Sequence, residues 1–362
     1  MLRIYRALIL AAFFVGIPPQ CSWASFGEEI KIGVVLPLSG NAARYGQYIK
    51  EGLELARDEL KDSINIRLIY EDDECNGVKG VAATRKLITF DHVRAIYGSW
   101  CSSVVLAQAP IVNQAHVVLM ATAISPQIRA AGDFVYDIQP SARGYLDAAL
   151  PQALREARTW GIFSIMNDFG FDLAQYFAEQ IEQQGGQVLS REEYLPSTTD
   201  FRVQILKIKQ AHPEGVFLAG YSEAGLLLKQ MRENGLKVFT LTPPTFENPD
   251  ILTVAGEAAE GVYFPHHYDP ASTLTSVQNY EHRYQEKYGH SSEGFAMLAY
   301  EGLSILAETL RDCRVNVECV QHALNTKEFP GVMGPVKFDG SGEAVRHFVV
   351  KTVRQNKFVT VE

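Results

Sequence analysis

Tyr70–Asn76 reads YEDDECN and Gly98–Ser103 reads GSWCSS, and these two stretches decide the fold. Each closes an apolar run, each carries a cysteine, and each leads into a helix-forming segment. The pattern predicts two adjacent parallel strands whose C-terminal ends are tied by Cys75 and Cys101. Ser102 and Ser103 then stand at a helix start in the crevice beside them. Open α/β sheets take ligands there, outside the carboxyl ends of the strands. Free backbone N–H groups and the positive end of a helix dipole favour an anion at such a place. The expected molecule is a receptor for a small anionic or zwitterionic solute.

Around these stretches the chain alternates. Lys31–Leu36 (KIGVVL) is a continuous apolar run, as in a parallel strand buried on both faces. A helix over Tyr45–Leu60 follows, then strand Asn65–Tyr70, helix Val78–Phe90, strand Val93–Tyr97, helix Ser103–Gln114 and strand Val117–Met120. Four strands with three crossovers make a doubly wound layer. Phe134–Ile138 reads as a further strand, and Gln139-Pro140-Ser141 as a linker.

A second series of the same kind starts with helix Tyr145–Ala157. Its strands are Gly161–Met166, Gln187–Tyr194, Gly215–Ala219, Val238–Thr242 and Gly261–Phe264. Helices Asp172–Gln184, Phe201–Ala211 and Ser222–Glu233 fall between them. Three helices come next, Val277–Tyr288, Glu293–Cys313 and Asn316–Leu324, and a meander of Val336–Phe338 and His347–Thr352 closes the chain. The expected class is α/β, with two doubly wound parallel-sheet lobes.

The first 24 residues read as a secretory leader. Arg3 and Arg6 form a positive start, and Ala7–Ile17 an apolar core of eleven residues, too short to span a bilayer comfortably. Ser22-Trp23-Ala24 offers small residues for cleavage, placing the mature start near Ser25. Lipidation at Cys21 is the alternative, but Pro18-Pro19-Gln20 lacks the small residue that a lipobox needs before its cysteine. No later run of about 18 apolar residues exists. Losing Arg3 and Arg6 takes the net charge from −9 to about −11, which argues against nucleic acid or an anionic membrane as partner.

Export leaves Cys75, Cys101, Cys313 and Cys319, which permit three pairings. Sequence locality favours 75–101 and 313–319. No CxxC pair exists and no histidine sits at ligand spacing from a cysteine, so disulfides are expected rather than metal. His266-His267 suggests no third ligand, and Asp72-Asp73 reads as a loop-ordering cap rather than an acid/base pair. No GxSxG, HExxH, Walker A or GxGxxG motif occurs, and neither enzyme nor cofactor is expected.

The order IGVVLPLSGNAARYG, YEDDECN, GSWCSSVV, ATAISPQI, NDFGFDLA, TTDFRVQILKIK and FPGVMGPVKFDGSG resembles the branched-chain amino-acid-binding proteins. These are the type I periplasmic solute-binding proteins of ABC importers. The resemblance implies a clamshell with three hinge crossings. Lobe 1 would hold residues 25–141 and 270–333, and lobe 2 residues 142–269 and 334–362. The Cys75–Cys101 bridge matches one in the family, whereas Cys313–Cys319 does not. The partners implied are a small-molecule ligand and a membrane ABC permease, with the chain acting as a monomer in the periplasm. A sensor handing its ligand state to a membrane receptor would use the same lobes.

Site residues carry over one at a time. Tyr45 matches an aromatic lying over the ligand, and Trp100 and Ser102 match positions that line the pocket and hold the head group. Thr122 and Ala123 match two gripping positions, but Ile124 stands where the family has a threonine. Phe169 and Tyr221 match aromatics of the second lobe. The acid that would pair with a ligand ammonium is missing from Pro243–Thr245. Glu247 is displaced by two or three residues, either a substitute acid or simply the residue ahead of a helix starting at Pro249. A buried ammonium without a carboxylate is costly. The expected ligand is therefore an amino acid or another carboxylate, aromatic acids included, with no strict demand for an α-ammonium group.

Overall fold

The computed structural model describes residues 29–361, so the leader, its cleavage site and Cys21 lie outside the described residues. Six strands and helices follow the two-fold alternation closely: β1 (Ile30–Leu36), α1 (Ala43–Leu60), β2 (Ile66–Asp72), α2 (Gly77–Thr89), β3 (Ala95–Tyr97) and α3 (Ser102–Ala115). β4 (Val118–Ala121) and β5 (Val135–Asp137) complete a five-stranded parallel sheet in the order β2-β1-β3-β4-β5. β1 buries six of its seven residues, as its unbroken apolar run requires. The strand order reverses between β1 and β3, which opens a crevice at their C-terminal ends.

The second unit begins with α4 (Ala142–Glu156), β6 (Thr159–Ile165), α5 (Asp168–Gln183), β7 (Gln187–Tyr194) and α6 (Arg202–Gln210). It continues through β8 (Gly215–Ala219), α7 (Ala224–Glu233), β9 (Phe239–Leu241), α8 (Pro249–Ala255) and β10 (Val262–His266). α5 starts at Asp168 rather than Asp172, because the Asn167 side chain accepts from Gly170 N–H and caps the helix one turn earlier.

Three helices return to the first unit: α9 (Thr275–Tyr288), α10 (Gly294–Asp312) and α11 (Val317–Thr326). α10 lies directly against α1. A Cβ on Gly52 would stand 2.0 Å from the Ala296 carbonyl oxygen, so only glycine permits this approach. β11 (Glu328–Phe329), β12 (Val336–Phe338) and β13 (Ala344–Val345) make a small antiparallel sheet. β14 (Val349–Arg354) and β15 (Lys357–Val361) extend the second sheet, antiparallel to β10 and to each other. Only one of these last two strands is visible in the sequence pattern. Gln355 and Asn356, both at positive φ, form the two-residue turn that folds β15 back.

Phe295, Leu303, Val336, Phe338 and Ala344 share one hydrophobic cluster with Ile32 and Val34. Trp160, Phe163, Phe177 and Phe217 centre another, which Val353 joins. Residues 334–362, grouped together from the sequence, are thus divided: Val336–Val345 packs with the first unit and Val349–Val361 with the second. The chain crosses between units after β5, after β10 and after β13. Cys75–Cys101 and Cys313–Cys319 are both bonded, with Cα atoms 5.5 and 5.6 Å apart. Among the described residues no helix is long and apolar enough to cross a membrane.

Candidate functional site

A cleft of about 940 Å³ opens at the β1/β3 crevice and is walled by both units. From the first come Tyr45 on α1, Cys75 and Trp100 beside the disulfide, and Ser102 and Ser103 at the start of α3. From the second come Asn167 and Phe169 at the start of α5, Ser197–Thr199, and Tyr221–Glu223 leading into α7.

Aromatic rings form a continuous layer across the cleft. Tyr45 stacks on Trp100 with centroids 4.0 Å apart, Trp100 meets Tyr221 at 5.1 Å, and Tyr221 stacks on Phe169 at 4.8 Å. Phe295 closes the layer edge-on against both Tyr45 and Trp100. Such faces offer a large apolar area with fixed orientation. The Tyr221 hydroxyl accepts from the Asn167 amide at 3.3 Å, so the cap of α5 also positions this ring.

Polar groups ring that layer. Ser102 Oγ accepts from Ile124 N–H (3.4 Å) and Ser125 N–H (3.2 Å), tying the loop after β4 to the α3 terminus. Its own proton remains available to the cleft. Val104 and Val105 N–H bond back to Cys101 C=O, and Ser102 and Ser103 N–H, the first of α3, bond to no described residue. Glu223 is the acid that the sequence pattern did not single out. Its Oε1 accepts from Tyr221 N–H and from the Tyr194 hydroxyl, each at 3.0 Å. Burial pushes its carboxyl upward.

Tyr45, Trp100, Ser102, Phe169 and Tyr221 are brought together; Thr122, Ala123 and Glu247 stand outside the cleft. The Thr122 hydroxyl is fully buried against the Tyr97 hydroxyl, and Ala123 N–H donates to Asp137 Oδ1 at 3.2 Å. Ile124 packs into the second unit's cluster, which makes it a hinge residue. Glu247 is buried in an ion pair with Lys351, with His266 Nδ1 at 3.4 Å. Its carboxylate turns toward the hinge. Thr245, where an acid was sought, donates its hydroxyl to Gly220 C=O at 2.7 Å. His266 and His267 stack at 4.5 Å, and burial holds both imidazoles well below their ordinary pKa. His267 bonds the Tyr145 hydroxyl and the Gly294 carbonyl. Asp72 accepts from Leu38, Ser39 and Glu74 N–H, ordering the loop after β1.

The family model for periplasmic binding proteins matches residues 29–356. The chain belongs to this family. Among relatives of this periplasmic binding protein, the leucine-, isoleucine-, valine-, threonine- and alanine-binding protein of Pseudomonas aeruginosa is 25% identical over 360 residues, covering 94% of this chain and 92% of that protein. The leucine-binding protein LivK of Thermotoga maritima superposes with a TM-score of 0.87 at 24% identity, covering 92% of this chain and 98% of that one. A solute-binding protein of an ABC transporter from R. palustris, in complex with benzoate, superposes at 0.84 with 19% identity, covering 92% and 96%. Periplasmic binding is therefore the family character of this clamshell.

Proposed function

We propose that the chain captures a small carboxylate or amino-acid-like solute between its two units and delivers it to an ABC importer in the membrane. The observation that supports this most directly is the two-sided cleft. Its aromatic layer comes from both units, and the free N–H groups at the start of α3 suit a carboxylate. A ligand touching both walls favours the closed arrangement by its differential affinity for that state, and a permease can read closure. Relatives whose names specify leucine, isoleucine and valine, and neighbours bound to isoleucine or benzoate, are consistent with a carboxylate at one end and an apolar body.

Thermal-shift screening of the purified protein against amino acids and aliphatic and aromatic carboxylates tests the reading. A solute at 100 times its Kd stabilises by about 2.7 kcal/mol. A raised melting temperature with one member of the panel is expected. No shift with any of them would remove the proposal.

A further inference from the structure

Asp172 is not a lining residue of the cleft, yet both of its carboxylate oxygens reach from α5 of the second unit to the loop after β4 in the first. Oδ2 accepts from the Ser125 hydroxyl at 2.5 Å, and Oδ1 from the Gln127 side-chain amide at 3.2 Å. Both donors are neutral, so neither brings a counter-charge. Ser125 is buried and links two directions. Its hydroxyl also accepts from Gln127 N–H at 3.3 Å, which starts the 3-10 turn Pro126–Ala130. Its N–H is one of the two held by Ser102 Oγ. A line of hydrogen bonds therefore runs from Asp172 through Ser125 to Ser102, the first residue of α3 and part of the cleft wall. Phe169 stands three positions before Asp172, on the same side of α5, so one helix carries both a ring of the cleft and this carboxylate.

We propose that Asp172 is a positioning residue for solute capture: it holds Ser125 from the second unit, and through Ser125 it aims the Ser102 hydroxyl into the cleft. The assignment rests on the solute-capture reading above and makes it more specific. A serine hydroxyl has one proton and two acceptor sites. With Ile124 and Ser125 N–H on those two sites, the direction left for the Ser102 proton is set by where the loop stands. A hydroxyl donating to an ionised carboxylate makes one of the stronger hydrogen bonds, so Asp172 is a firm anchor for that loop. The anchor belongs to the opposite unit. Ser102 therefore takes its binding pose when α5 and the loop after β4 are together, and closure and orientation of the serine become one event.

The test is a double-mutant cycle read in affinity. The twenty proteinogenic amino acids, benzoate and 4-hydroxybenzoate are ranked by thermal shift, and the one with the largest shift is the calorimetric probe. Asp172→Ala is expected to weaken its binding about tenfold when Ser102 is present, and by no more than about twofold in a Ser102→Ala background. Asp172→Asn still offers Ser125 an oxygen and should stay within about threefold of wild type. Ser125→Ala removes the middle link and should give the same pattern as Asp172→Ala, so the outcome does not hang on the folding of one variant. If Asp172→Ala and Ser125→Ala cost the same factor with and without the Ser102 hydroxyl, the carboxylate only ties the units together, and the assignment is overturned while solute capture stands. It is likewise overturned if Asp172→Ala binds as wild type does, or if Asp172→Asn loses as much as the alanine. If no member of the panel raises the melting temperature, solute capture fails and the assignment falls with it.

Discussion

The Tyr45 hydroxyl donates to the carbonyl of Thr245 at 3.1 Å, from a helix of the first unit to the loop after β9 in the second. The same ring stacks on Trp100. Tyr45 is thus both wall and latch, and burial pushes its phenol pKa up, so the hydroxyl keeps the proton it donates. Tyr45→Phe should preserve the wall and remove the latch. Losing one such hydrogen bond costs about 0.5–1.5 kcal/mol. Calorimetry should show affinity reduced by up to about tenfold, and small-angle scattering of the free protein should show a larger radius of gyration. Unchanged values in both would refute the latch.

Ser102→Ala should lower stability as well as affinity. The hydroxyl holds Ile124 and Ser125 N–H, both buried, and its removal strands those donors. A cost of about 1–2 kcal/mol in urea unfolding is expected. A variant that loses affinity with no loss of stability would show that the serine serves the ligand alone.

Lys351→Met should be among the most damaging single changes away from the cleft. It leaves Glu247 as an unpaired buried charge, which typically costs about 3–5 kcal/mol. Because Glu247 turns away from the cleft, Glu247→Gln should lower the melting temperature without altering which solutes bind. A changed ligand ranking in Glu247→Gln would mean that its carboxylate does reach the solute.

Replacing Cys75 and Cys101 together by serine removes a cross-link of sequence separation 26, worth about 3–4 kcal/mol on chain-entropy grounds. The Cys313–Cys319 bridge, of separation 6, should matter less, at about 2 kcal/mol. Denaturant midpoints of the two double variants should fall in that order. The reverse order would show that native-state packing, not loop closure, dominates.

Asp73 gives a pH signature. It is fully buried behind the cleft rim, and burial raises its pKa from 3.8 to about 6. A carboxyl with a raised native pKa contributes stability below its unfolded pKa and loses it as pH rises through the native value. Asp73→Asn should therefore match wild type near pH 4 and exceed it by up to about 3 kcal/mol at pH 7.5. The neutral amide still offers an oxygen to Cys75 N–H, which Asp73 now binds at 2.6 Å. Urea unfolding at pH 4, 6 and 7.5 checks this, and a difference that stays constant would rule the titration out.

Repeating strand and helix periods made the two-unit architecture legible, because buried parallel strands and their crossover helices are written in local runs such as Lys31–Leu36. The aromatic half of the cleft was legible for a related reason: Trp100, Phe169 and Tyr221 each sit at a strand end where a glycine or serine marks the turn. What was hidden depends on distant partners. Glu247 could be weighed only with Lys351, which lies 104 positions away, and Thr122 only with Tyr97. Glu223 reads locally as a solvent-facing residue at a helix start. Its placement depends on Tyr194 and on the space left by Gly220. The β14–β15 hairpin went unseen because Gln355-Asn356 lacks the glycine that usually announces such a turn.

Every residue lining the cleft falls between Gly40 and Val254, yet each unit is finished by chain that comes later. α10 supplies the partner of α1, and β14 and β15 complete the sheet that carries Phe169 and Tyr221. During synthesis the binding residues are therefore made first and their support last. A chain ending before Val349 would hold every lining residue of the cleft while the sheet behind Phe169 and Tyr221 still lacked its last two strands.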